Sequence, residues 1–131
     1  NAGIKMGVGS IDEVLPKVKG SQLRNSLEKS RSAHTKLGDE THSLLAQYGD
    51  RGKEPSPVAK GMSWMKTNVQ LALEDSDKTV ANLITDGCNM GVKSLNRYLN
   101  QYKAAEEQAK RIADRLITLE DSLAQEMQPY L

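Results

Sequence analysis

Three observations predict an all-helical domain built as an up-down four-helix bundle. The chain is rich in Ala, Leu, Glu, Lys, Gln and Met, all strong helix formers, while aromatics make up 4% of residues and Phe is absent. A sandwich or barrel would draw on more β-branched and aromatic side chains. Apolar residues recur three and four apart along most of the chain, as on one face of a helix. Stop and start signals cut this pattern into pieces of bundle length. With 131 residues, 37% of them apolar, residues 1–131 read as a single domain able to bury a core without disulfides.

The first helix carries Ile4, Gly7 or Val8, Ile11, Val14 or Leu15 and Val18 on one stripe, with Pro16 kinking it or ending it early. Lys19-Gly20-Ser21 reads as a stop followed by a fresh N-cap. The second stripe runs Leu23, Leu27, Ser30, His34, Leu37, Thr41, Leu44 and Tyr48, alternating four and three without a slip. Gly49 to Pro57 is the clear loop, with two glycines, two prolines and four charges. Ser56 and Pro57 then start a shorter helix through Val58, Met62, Met65, Val69 and Leu73.

Asp75-Ser76-Asp77 is a capping cluster at a bend or short break. A long third helix follows on Val80, Leu83, Ile84, Gly87, Met90, Gly91, Leu95, Tyr98 and Tyr102. The last helix carries Ala105, Ala109, Ile112, Leu116, Leu119, Leu123 and Met127, and its junction with the third falls near Asn100 to Lys103. The expected count is four principal helices and one short extra piece.

Charge is nearly balanced, 18 basic against 17 acidic residues, which gives no electrostatic reason to expect nucleic acid or an anionic membrane as partner. No apolar run approaches the roughly 20 residues that cross a bilayer. The single cysteine, Cys88, rules out an intramolecular disulfide and fits a reducing compartment, so a cytoplasmic location is expected. Because the first residue is Asn1, trimming of an upstream segment, a signal peptide among the options, is also expected.

The chain matches itself. Gly3-Ile4-Lys5-Met6-Gly7-Val8-Gly9-Ser10 is similar to Gly87-Cys88-Asn89-Met90-Gly91-Val92-Lys93-Ser94, 84 residues later, and each copy opens one helical hairpin. Two related hairpins packed about a pseudo-twofold axis are the physical reading. Gly3 and Gly7, like Gly87 and Gly91, lie on one helix face and let another backbone approach. An interior glycine costs about 1 kcal/mol relative to alanine, so a packing reason is expected. The alternatives are room for a bulky side chain such as Trp64 or Tyr98, or a ligand cavity beside Gly7, Gly87 and Gly91.

The Met-Gly-Val-x-Ser copies, the loop Gly52-Lys53-Glu54-Pro55-Ser56-Pro57-Val58-Ala59-Lys60 and Ser63-Trp64-Met65 together resemble the small ferritin-like bundles of clostridial-type bacteria. The resemblance covers nearly the whole chain and implies a ferritin-like fold, self-association as a homodimer and no specific activity. Active ferritin-like metalloproteins hold two metals with one Glu from each of two helices and a Glu-x-x-His pair from each of the others. Those ligands are missing here: Arg31 precedes His34 and Asp39 precedes His42 by three residues, and the last helix has no histidine. Ile4, Gly7, Cys88, Gly91 and Ser94, which would face the centre from the first and third helices, include no carboxylate. The scaffold is therefore expected without its metal centre.

His34, on the seam of the second helix, is either a metal ligand or a core histidine with a hydrogen-bonded ring nitrogen, and the second is expected, with Ser30 and Thr41 completing a polar layer. Asp86, Cys88 and Asp114 are the companion metal candidates, Glu120 is a further oxygen donor, and Asp39 with His42 reads as a solvated face. Cys88 reads as a buried structural thiol more readily than a nucleophile. The methionines fill the core, or Met62, Trp64 and Met65 form an exposed interaction patch. Phosphate loops, zinc spacings and nucleophile elbows are missing. The expected function is a non-catalytic structural or interaction module without cofactor; the alternative is an iron- or manganese-binding bundle with atypical ligands.

Overall fold

The computed structural model describes residues 2–47, 76–101 and 107–131, and these are helical nearly throughout. Helix α1 spans Ala2–Val14 and passes into a 3-10 turn at Leu15–Lys17, where Pro16 removes a backbone donor and ends the α-helix. Helices α2 (Ser21–Gln47), α3 (Asp77–Gln101) and α4 (Glu107–Met127) follow, and α4 closes in a 3-10 turn at Gln128–Tyr130. The expected short helix over 58–73, the loop at 49–57 and the patch Met62, Trp64 and Met65 lie outside the described residues.

Cross-helix contacts settle the directions. Going along α2, Leu23 and Leu27 pack with Val14, Val18, Val80 and Met127. Further on, Arg31 meets Asp12, His34 meets Glu120, and Glu40 pairs with Arg115. α1 and α4 therefore run opposite to α2. The start of α3 is pinned beside the start of α2: Asp77 accepts the backbone N–H groups of Lys19 and Gly20, each at 2.8 Å.

So α2 and α3 run parallel, and the four described helices do not follow a simple up-down order. A 27-residue helix is about 40 Å long, at 1.5 Å per residue. The end of α2 and the start of α3 thus stand at opposite ends of the bundle.

Capping differs from expectation too. Gly20, not Ser21, occupies the cap of α2, since its carbonyl accepts the N–H of Arg24. A Cβ at Gly20 would sit 2.8 Å from the Asp77 carboxylate, so glycine is what permits this approach. Ser76 caps α3, its hydroxyl accepting the N–H of Thr79 at 3.2 Å. Asp77 also places its charge in the first turn of α3, favourably for the helix dipole. Replacing Asp77 by alanine is expected to cost about 1 kcal/mol through loss of the tie between these helix starts. A urea midpoint unchanged in Asp77→Ala would contradict that.

The core forms two apolar clusters. One gathers Ile11, Val14, Val18, Leu23, Leu27, Val80, Ala81, Ile84, Cys88, Leu123 and Met127; the other holds Ile4, Leu37 and Leu116. The stripes of α1 and α2 bury as expected as far as Thr41, with Leu44 half-buried and Tyr48 outside the described residues. On α3, Met90 and Tyr98 turn out exposed, Met90 at 67%, which corrects their assignment to the core. On α4 the buried line is Ala113, Leu116, Glu120, Leu123 and Met127, while Ile112 and Leu119 are only half-buried. The seam of α4 thus keeps Leu116, Leu123 and Met127 but takes Ala113 and Glu120 in place of Ile112 and Leu119, and so contains a carboxylate.

Candidate functional site

Between the two apolar clusters lies a polar layer. Along α1 it falls at Gly7, between Ile4 and Ile11; along α2 at His34, between Ser30 and Leu37; along α4 at Glu120, between Leu116 and Leu123. α3 contributes Cys88 and Gly91. His34 is 0% exposed and Glu120 8%, so two ionisable groups meet away from water.

The ring nitrogens of His34 are both engaged. Nδ1 lies 2.8 Å from the Ser30 carbonyl oxygen, which can only accept, so Nδ1 carries a proton and donates it; the Ser30 hydroxyl lies 3.3 Å away. Nε2 lies 2.9 Å from Glu120 Oε1. Thr41, expected in the same layer, instead donates its hydroxyl to the Leu37 carbonyl one turn back and does not join the ring.

The glycines make this possible. A Cβ at Gly7 would stand 3.0 Å from His34 Cδ2, 3.2 Å from Nε2 and 3.5 Å from Glu120 Oε1. A Cβ at Gly91 would stand 3.4 Å from Glu120 Oε2. The same position of each repeat copy therefore abuts one carboxylate, and the space left by the missing side chains holds the His34–Glu120 pair. Tyr98 is not what these glycines accommodate, Trp64 lies outside the described residues, and the space beside Gly7 and Gly91 is occupied by the pair rather than an open ligand cavity. Gly3 would bring a Cβ to 3.7 Å from Leu116, ordinary contact. Gly87 departs from the expected packing role: it is exposed, and no described residue lies within 4 Å of its Cβ position.

Electrostatics follow from this geometry. Burial acts to lower the pKa of His34, but its hydrogen bond to Glu120, its bond to the Ser30 carbonyl and the charge of Glu120 together outweigh it. His34 is therefore held above its ordinary value, as an imidazolium facing a carboxylate. The native state keeps a proton that the unfolded chain releases near pH 6.5. Stability from this proton is complete below that pH and declines as pH rises towards the folded value, by at most about 1.4 kcal/mol per pH unit. Urea unfolding between pH 6 and 9 is expected to show the decline, and His34→Gln to remove it; identical slopes in both proteins would refute this assignment.

Cys88 is a buried thiol. Burial first, then the charge of Glu120 and a hydrogen bond to it, push its pKa upward and keep it protonated, the opposite of what a nucleophile needs. The other metal candidates stand apart. Asp86 and Asp114 are both exposed. Asp86 is two residues from Cys88 and Asp114 six from Glu120, and at 100° per residue both rotate away from the buried face. Asp39 and His42 are exposed as well. Among the described residues no three His, Cys, Asp or Glu side chains converge as ligands of one metal ion would.

Glu120 is the partner that apolar counting passes over. Ala109, Ala113, Leu116, Glu120, Leu123 and Met127 keep the four-three rhythm and pass through Glu120, whereas tracing the largest residues selects Leu119. On the surface, Arg31 grips Asp12 through both carboxylate oxygens, and Arg115 grips Glu40 likewise, holding α1 and α4 in register on α2. Among the described residues no helix is long and apolar enough to cross a membrane.

Compared with protein-family models, characterised proteins and solved structures, the chain finds no match in any of the three.

Proposed function

We infer that this chain is a ferritin-like bundle without the di-metal ligands, serving as a non-catalytic structural or protein-interaction module that associates with itself. One observation carries the reading. At the central level of the bundle α1 and α3 present Gly7 and Gly91, where a di-metal bundle would present carboxylates, and His34 and Glu120 are taken up by each other. The parallel α2 and α3 add support, because a single long crossover is the connection that ferritin-like folds use. Exposed Met6 and Met90, at corresponding positions of the two repeat copies, supply apolar surface for a partner.

The alternative, an iron- or manganese-binding bundle, would need His34 released from Glu120 and further ligands brought inward. Elemental analysis of untagged protein after loading with iron, manganese and zinc separates the two. Substoichiometric metal after desalting supports the module. Near-stoichiometric metal that disappears in His34→Ala would overturn it. Light scattering over a concentration series tests association: a dimer weakened in Met90→Glu is expected, and a monomer at every concentration rejects that part.

A further inference from the structure

Hydrogen-bond arithmetic at the centre of the bundle leaves one proton to hold the polar layer together. With Nδ1–H of His34 given to the Ser30 carbonyl, the 2.9 Å contact between Nε2 and Glu120 Oε1 requires one further proton, which the ring carries at Nε2. Without it the neutral ring keeps one N–H. Either the Nε2 lone pair faces the carboxylate oxygen, or the proton moves to Nε2 and Nδ1 faces the Ser30 carbonyl with only the hydroxyl 3.3 Å away to serve it. In both cases one buried negative charge goes unpaired. Gly7 faces both side chains and Gly91 the carboxylate, so α1 and α3 close over the pair without offering it a polar group.

No group at this level replaces the proton. From α2 the layer receives His34 and the Ser30 hydroxyl; from α4, Glu120, with exposed Asp121 next along the chain; from α3, the Cys88 thiol and Gly91; from α1, Gly7. Glu120 and Asp121 are acidic and both act on Cys88 to keep its proton in place. The layer contains no second cation among the described residues.

We propose that the His34–Glu120 pair is a one-proton latch between α2 and α4, and that losing the proton in alkaline solution opens the centre of the bundle and uncovers Cys88. The proton passes to bulk water, and no other bond is made or broken. Glu120→Gln dispenses with the proton, because its carboxamide N–H can donate to the neutral ring.

Cys88 is the sole cysteine of the sequence, so thiol labelling reports on this layer alone. Its reaction with a dithiodipyridine reagent is measured from pH 6 to 9.5 and divided into the rate for the same protein in urea, which removes the intrinsic pH dependence of the thiol. Protection of Cys88 is expected to fall about tenfold per pH unit once the proton is lost, and to stay within about threefold across the range in Glu120→Gln. Unchanged protection in the unsubstituted protein, or an equal fall in Glu120→Gln, overturns the latch. Nitrogen-15 shifts of His34 in the unsubstituted protein give a second reading that needs no variant. Nε2 should deprotonate over the same pH interval in which protection falls; an Nε2 that keeps its proton throughout would also overturn the latch.

Discussion

His34→Leu is expected to destabilise the bundle by about 3–5 kcal/mol, the largest effect of any single substitution in the polar layer. The cause is what the change leaves behind. Glu120 is 8% exposed and its Oε1 takes its hydrogen bond from His34, so leucine strands a carboxylate between two apolar clusters. Glu120→Leu acts in the same direction by stranding the imidazolium. The double variant His34→Leu/Glu120→Leu is expected to recover most of the loss, because two apolar side chains of similar size remove both desolvation penalties. The measurement is a double-mutant cycle by urea unfolding. A double variant as unstable as the sum of the single ones would show that the two groups act independently and that the 2.9 Å contact has no energetic meaning.

Gly7→Val is expected to cost about 3 kcal/mol, and Gly7→Ala about 2. The first added carbon would already lie 3.0 Å from a ring atom of His34, closer than ordinary contact. That ring is fully buried and tied at both nitrogens, so it cannot rotate aside without losing a hydrogen bond. The gain of about 1 kcal/mol that alanine offers within a helix is too small to offset this. Gly87→Ala is the control on the same repeat motif. Its added carbon meets no described residue, so it should stabilise by about 0.5–1 kcal/mol. Thermal unfolding of the three variants checks the contrast. Similar destabilisation by Gly7→Ala and Gly87→Ala would mean that the glycines share a role the geometry does not assign.

Much of this arrangement was legible in the residues. The α2 stripe from Leu23 to Thr41 is buried as its spacing implied, with His34 inside it and hydrogen-bonded. Pro16 ends α1, and Ser76 opens α3, at positions marked by capping and breaking residues alone. These are local features: a helix needs only its own 3.6-residue period and its end groups to be recognised.

Three things were not local. Glu120 belongs to the buried seam of α4 although counting apolar side chains selects Leu119, because burial of a carboxylate depends on a histidine 86 positions away. Met90 continues an apolar stripe on α3 and yet is exposed, since a stripe is buried only as far as neighbouring helices cover it. The parallel course of α2 and α3 rests on Asp77 reaching the Lys19 and Gly20 amides, a contact between segments 57 and 58 residues apart. Periodicity and end signals thus established the helices and most of their inward faces. Helix direction, the place of Glu120 in the seam of α4 and the pairing at the centre came from long-range hydrogen bonds and packing, whose energy depends on groups that no window of sequence contains.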